Sequence, residues 1–239
     1  MVALFAALEA EAQALVRRLV QSKHPSPHLS LWQGAIEGAP VALAITGVGK
    51  VAAALAAQFV CDAFHPRCAI AFGLAGGTAS DVKPGHVIVA SGALQHDMDG
   101  RPFTKARGVI PSLGTTAFTA DRTLSQKLRQ AAESVVKNPM LVTSGTVLTG
   151  DQIITSREVR DRLLREFPDG ACFDMETAAI AQVAFQNGLP WAALRMTSDA
   201  ADETFNLKEV LGFGINTAAD LFDRIVQACL KDTSSIPGS

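Results

Sequence analysis

Apolar, strand-sized runs alternate with helical patterns along almost the whole chain, and no other feature constrains its fold so strongly. Strand candidates are Val2 to Ala7, Leu29 to Ile36, Val41 to Thr46, Cys68 to Leu74, His86 to Leu94, Leu141 to Val147, Gly170 to Met175 and Trp191 to Thr197. Helix candidates are Glu11 to Leu19, Lys50 to Phe64, Arg122 to Val136, Ser156 to Phe167, Thr177 to Gln186 and Leu207 to Cys229. Strands interleaved with helices in this way make an α/β domain. Between Leu29 and Thr46 two strands are joined by Glu37-Gly38-Ala39-Pro40, a hairpin, so the sheet is mixed. With 48% hydrophobic residues in 239, one sizeable core fits in residues 1–231, and no linker divides them. The polar tail Asp232 to Ser239 is expected to fray.

Function is most legible in Phe173-Asp174-Met175-Glu176-Thr177-Ala178-Ala179-Ile180-Ala181 and in Arg195-Met196-Thr197-Ser198-Asp199. The first sets an acid at the mouth of a helix that Asn187-Gly188 and Pro190 terminate. The second sets an acid just past an apolar, buried strand. Both acids reach the carboxyl edge of neighbouring strands, where open α/β sheets bind ligands.

Several function classes are excluded or disfavoured. Net charge is −2 and no basic block occurs. Arg157, Arg160, Arg162 and Arg165 are interleaved with Glu158, Asp161 and Glu166, which reads as a solvated helix face, not as a nucleic-acid patch. No uninterrupted apolar run is long enough to span a membrane. The opening Met1 to Leu8 has no basic lead-in and reads as a first strand, not a signal peptide. Cys61, Cys68, Cys172 and Cys229 fit no zinc spacing and read as reduced thiols of a cytoplasmic protein. His65, His86 and His96 are too scattered for a metal site, and Pro25 and Pro27 keep His24 and His28 off a shared helix face.

Four smaller features are ambiguous on residues alone. Glu11, in Leu8-Glu9-Ala10-Glu11, is accounted for by ordinary first-turn acidity. Gly73-Leu74-Ala75-Gly76-Gly77 is either a tight turn after the strand or a ligand-contact loop. Thr46-Gly47-Val48-Gly49-Lys50 is not a triphosphate loop, because Ala44 stands where the first glycine belongs and Val51 follows the lysine. Thr149-Gly150-Asp151 is an Asx-type turn by default, and Ile153 and Ile154 after it can wall a planar ligand. The stretch from Gln95 to Thr116 has no clear periodicity, as functional or mobile loops do.

In this order, these segments resemble the nucleoside phosphorylase and nucleosidase superfamily, and within it the 5′-methylthioadenosine/S-adenosylhomocysteine nucleosidases. Lys83-Pro84-Gly85-His86-Val87-Ile88-Val89, His96-Asp97-Met98-Asp99 and Ser198-Asp199-Ala200-Ala201-Asp202 extend the resemblance. It implies a three-layer α/β/α sandwich around a mixed central sheet, a homodimer, a small nucleoside as the ligand, and neither cofactor nor metal. The implied reaction is hydrolysis of the N-glycosidic bond of 5′-thio-substituted adenosines.

By the same resemblance, Asp199 donates a proton toward adenine N7 and Glu11, with Arg195 beside it, activates water. Glu176 binds the ribose hydroxyls and Met175 packs on the sugar. Backbone groups near Ile153 and Ile154 read the adenine edge, and Val48 lines the 5′-thio pocket. Leu74 stands where these nucleosidases carry Ser or Thr, and Ile153 where an aromatic residue covers adenine. The chain has no tyrosine, so any aromatic cover is Phe or Trp, and Phe103 is the candidate for reaching a dimer partner's site. The rival within the superfamily is phosphorolysis, but Glu9 and Glu11 stand where phosphorylases carry a Gly- and Arg-bearing loop and repel phosphate. A nucleoside binder without catalysis is the other class, and it has no use for a water-activating Glu.

Overall fold

The computed structural model describes residues 1–22, 29–79, 84–213 and 217–231. The expected fraying of 232–239 and the reading of His24 and His28 lie outside them, as does Lys83. From the N-terminus the elements are β1 (Val2–Ala6), α1 (Glu9–Val16), β2 (Val20–Ser22), β3 (Ser30–Ile36), β4 (Ala39–Ile45) and α2 (Lys50–Phe64). There follow β5 (Cys68–Gly77), β6 (Val87–Gln95), β7 (Ala117–Thr119), α3 (Arg122–Val135) and β8 (Val142–Thr149). The chain continues through α4 (Arg157–Glu166), β9 (Gly170–Asp174), α5 (Thr177–Gln186), β10 (Trp191–Asp199), α6 (Leu207–Phe213) and α7 (Ala219–Leu230).

The layers follow from the two-residue period of a fully buried strand. In β1, Val2, Leu4 and Ala6 join a core with Leu15 of α1, Leu124 of α3 and Phe222 of α7. Ala3 and Phe5 point the other way, into a core with Ala53 and Val60 of α2 and Ala178 and Ile180 of α5. Helices therefore cover both faces, in the expected three-layer arrangement. The sheet order is β10-β6-β8-β9-β5-β1-β4-β3-β2, and β10 also pairs with β5, so five strands close on themselves. β1 runs parallel to β4 and β5, and β5 parallel to β10, whereas β10–β6 and the β3–β4 hairpin are antiparallel. β5 and β9 meet only through Gly76–Phe173 and Gly77–Cys172, antiparallel. Their carboxyl ends thus converge beside the end of β10, and that convergence makes the site.

Three expectations are corrected. Gly73 to Gly77 is no turn: β5 continues through it, because β10 and β9 pair with it on either side. Leu207 to Cys229 is not one helix but α6 and α7, with 214–216 between them outside the described residues. The first helix starts at Glu9 and ends at Val16, and the chain then turns into the unforeseen β2. The short β7, pairing with β6, was also unforeseen; between Gln95 and Ala117 no helix or strand forms. All four cysteines are free and buried.

Candidate active site

Glu11 sits in the first turn of α1, and both of its oxygens are held by backbone. Oε2 accepts from Leu8 N at 2.9 Å, the reach-back half of a capping box, while Oε1 accepts from Leu74 N at 2.8 Å. Leu74, where a hydroxyl residue was looked for, therefore meets this acid through its amide. Burial drives the Glu11 pKa above its ordinary value, against the Leu74 and Leu8 amides and the Arg195 charge. The close approach depends on Gly73: a Cβ there would collide with Arg195 Nη1 and lie 2.9 Å from Glu11 Oε1.

Arg195, on β10, is 2% exposed and lies behind the acids. Its Nη2 is 2.8 Å from Asp174 Oδ2, and its Nε donates to Thr177 Oγ1 at 2.8 Å. Asp174 also accepts from the hydroxyls of Thr149 and Thr177, and from Thr177 N at 3.0 Å, so it caps α5 as well. Burial works against the Arg195 charge, but Asp174, Glu176 and Glu11 more than offset it and its pKa is raised.

Glu176 precedes α5 without capping it. Its Oε1 accepts from Gly49 N at 2.8 Å, at the start of α2. Gly49 has φ 97°, which favours glycine, and Lys50 N next to it donates to Asp151 Oδ1 at 2.7 Å. Asp151 is fixed in turn by its N–H on Asp97 Oδ2 at 2.9 Å, and Asp97 pairs with Lys50 Nζ at 2.7 Å. The amides that begin α2 thus face the protein's own carboxylates, which is why the Gly-Val-Gly-Lys segment is no phosphate loop. Burial, then the charge of Asp174, push the Glu176 carboxyl well up.

Asp199 ends β10 at a bulge: Thr197 pairs with Ala75, Asp199 with Gly76, and Ser198 is the extra residue. Asp199 Oδ2 accepts from Ser198 Oγ at 2.7 Å and Oδ1 from Ala201 N at 2.8 Å. Burial raises its pKa in spite of these two bonds. A Cβ at Gly76 would lie 3.1 Å from the Ala201 Cβ and in ordinary contact, 3.4 Å, with Oδ1, so bare backbone there eases the packing of the Ala201 turn on the strand.

Glu11, Glu176 and Asp199 line a single cavity of about 210 Å³, together with Val48, Leu74, Ile153, Ile154 and Met175. Among the expected residues two lie elsewhere. Arg195 stands behind the wall, and Phe103 is 94% exposed and away from the cavity. Phe103 is expected at a partner's site, which a single chain does not display; the aromatic lining within this chain is Phe173 and Phe205, with Leu207, Val210 and Leu211 of α6 beside the latter. These, Ser198 and Asp174 were not anticipated; the signal available was the apolar spacing just past the Ser-Asp pair. His96, fully buried, packs edge-on against Phe173 with ring centres 6.2 Å apart.

The lining holds the carboxyl side chains of Glu11, Glu176 and Asp199, and no Lys, Arg or His among the described residues; Asp174 borders it as well, but its side chain is buried against Arg195. Such a site stabilises a developing cation and repels a phosphate dianion. Among the described residues no group of three or more His, Cys, Asp or Glu is placed to hold a metal ion, and no helix is long and apolar enough to cross a membrane.

Comparison with known proteins agrees with this architecture. The phosphorylase superfamily model matches residues 1–231. A 5′-methylthioadenosine/S-adenosylhomocysteine nucleosidase of Desulfotalea psychrophila is 32% identical over 204 residues, 85% of this chain and 86% of that one. Among solved structures, the Neisseria meningitidis nucleosidase of the same name, in complex with methylthio-immucillin-A, superposes with TM-score 0.87 at 29% identity, over 96% of this chain and 98% of that one. The Colwellia psychrerythraea nucleosidase, in complex with adenine, gives TM-score 0.87 at 28% identity, over 100% and 96%.

Proposed function

We propose, from the premise that this chain belongs to the phosphorylase superfamily, that it is a nucleosidase releasing adenine from 5′-methylthioadenosine and S-adenosylhomocysteine. The relatives' names support the substrate class. The observation that carries the reaction type is the cavity's lining of carboxyl groups without a cation among the described residues.

Adenine leaves readily only when N7 is protonated, and a carboxyl with a raised pKa can deliver that proton near neutrality. Asp199, whose pKa burial raises, is the donor in this reading. Glu11, held by two amides, takes a proton from the attacking water. Glu176 keeps one oxygen on Gly49 N and offers the other to the ribose diol. As the bond breaks the sugar becomes oxocarbenium-like, and Glu11 and Glu176 stabilise that charge. Arg195 acts at one remove, its guanidinium paired with Asp174. Met175 and Leu74 pack on the sugar side, Ile153 and Ile154 on the base, and Val48 near the 5′-group.

The protein acts in the cytoplasm as a homodimer in this reading. Val51 and Leu55, one turn apart on α2, are 79% and 59% exposed, and Phe103 is free to reach a second copy. Light scattering at micromolar concentration tests this: a monomer contradicts it.

A panel of 5′-modified adenosines and inosines, read by free-base release with and without phosphate, tests the function. Adenine release in phosphate-free buffer is expected. Turnover only on adding phosphate would establish phosphorolysis instead, and tight analogue binding without any base release would leave a binding protein.

A further inference from the structure

Arg160 reads in the sequence as part of a solvated charged face, yet it is 4% exposed. From α4 its Nη1 donates to Ala200 O at 3.0 Å and its Nε to Asp161 Oδ1 at 2.9 Å. The same Nη1 lies 3.7 Å from Asp202 Oδ2, which Arg157 Nη2 approaches to the same distance from the exposed side. Ala200 and Asp202 flank Ala201, which is fully buried with φ 50°, a left-handed conformation that a non-glycine residue holds only under constraint. In that conformation Ala201 N reaches Asp199 Oδ1 at 2.8 Å. Asp202, 2% exposed, also accepts from Thr204 N at 3.0 Å and Thr204 Oγ1 at 2.6 Å, and the next residue, Phe205, lines the cavity.

We propose that Arg160 is a positioning residue for Asp199: by donating to the Ala200 carbonyl on one side of Ala201, with its charge 3.7 Å from the Asp202 carboxylate on the other, it fixes the turn that aims the proton donor. This rests on the reading of Asp199 as general acid. The physical case is the cost of the arrangement. A guanidinium loses hydration on burial, and an apolar side chain of similar length would pack beside Leu163 and Phe167 without that loss. What an apolar side chain cannot do is donate to a carbonyl oxygen while placing a positive charge beside the neighbouring carboxylate. Misplacing a reacting group by about an ångström costs about a hundredfold in rate, so the turn has leverage on chemistry that its distance from the substrate conceals.

The test is a ¹³C titration of the Asp199 carboxyl in the full chain, alongside kcat and KM for adenine release, in wild type, Arg160→Lys, Arg160→Met and the double variant Arg160→Met/Asp202→Asn. The double variant leaves no unpaired buried carboxylate, so it separates positioning from charge and from misfolding. The charge that acts on Asp199 is that of Asp202, with Arg157 and Arg160 each 3.7 Å from Asp202 and Glu11 and Glu176 lining the same cavity. Loss of the Ala201 amide bond is expected to move the Asp199 titration upward in Arg160→Met, and less far in the double variant, where removing the Asp202 charge works the other way. With it kcat falls about tenfold to a hundredfold while KM stays within about threefold, and Lys recovers most of the loss. Wild-type titration in Arg160→Met, wild-type kcat in the double variant, or no recovery with Lys overturns the proposal. Should the wild type release no base at all, the nucleosidase reading falls, and the Asp199 titration still decides whether Arg160 sets that carboxyl.

Discussion

The two walls of the cavity are built on opposite terms. On the inner wall Glu11 and Glu176 are 4% and 6% exposed, and Glu11 Oε1, Glu11 Oε2 and Glu176 Oε1 each have a named backbone donor. Behind them Arg195, Asp174, Thr177 and Thr149 form a closed hydrogen-bonded network. The outer wall, Ile153 with Leu207 and Leu211 of α6, is 56%, 55% and 37% exposed, and apolar. Fixed dipoles need fixed scaffolds, so the charges sit on strand ends and helix starts whose geometry does not relax during reaction. Apolar contact needs only shape and is tolerant of exchange. On the proposed function, the inner wall is where rate would be set and the outer wall where the choice of 5′-group and base would be set.

The sharpest way to break that division is at the donor. Asp199→Asn is expected to lower kcat by about 10³- to 10⁴-fold while affinity for a non-hydrolysed adenosine analogue changes by less than about threefold. Calorimetry with single-turnover kinetics measures both; a comparable loss of binding would make Asp199 a binding residue. Gly73→Ala strikes the inner wall without touching a charge. Its methyl meets Arg195 and Glu11, and a loss of about 1–3 kcal/mol of stability is expected together with most of the activity. Normal denaturant unfolding and normal kcat would show that the wall yields.

Glu176→Gln probes what the buried carboxyl costs the fold. Burial and Asp174 raise its pKa in the native state, so the native state binds that proton more tightly than the unfolded chain. The group's contribution to stability is thus present below the unfolded value of about 4.3 and is lost as pH rises through the raised pKa. The amide oxygen of Gln still accepts from Gly49 N. Thermal unfolding near pH 8 is expected to shift up by roughly 2–8 °C, with no gain near pH 4. An equal shift at both pH values would mean the effect is packing. Smallest of all, Phe205→Ala on the outer wall is expected to raise KM about three- to tenfold with kcat nearly unchanged. A matching fall in kcat would erase the distinction between the walls.

How much of this the sequence discloses depends on whether a residue acts locally. The alternation of strands and helices and the Asp-Met-Glu and Ser-Asp segments are local patterns, and the layered fold follows from the first. The absence of tyrosine points to Phe or Trp for the aromatic cover, but not to which: within this chain it is Phe173 and Phe205 that line the cavity. Gly73 to Gly77 reads as a turn or a ligand-contact loop because glycine weakens strands; it is strand, beside neighbouring strands and at the Glu11–Arg195 approach that Gly73 leaves room for, and Leu74, Ala75 and Gly76 line the cavity. Asp174 and Arg160 act through partners 21 and 40 residues away, Arg195 and Ala200. No window of sequence contains those pairs; only the folded chain does.

The account stands on the inner-wall acids acting together on one bound nucleoside. Its most direct test is single-turnover release of adenine from 5′-methylthioadenosine in phosphate-free buffer, comparing wild type with Glu11→Gln. The account predicts release by the wild type and a loss of about a hundredfold or more in the variant, with the analogue still bound. Equal rates in the two proteins would contradict it.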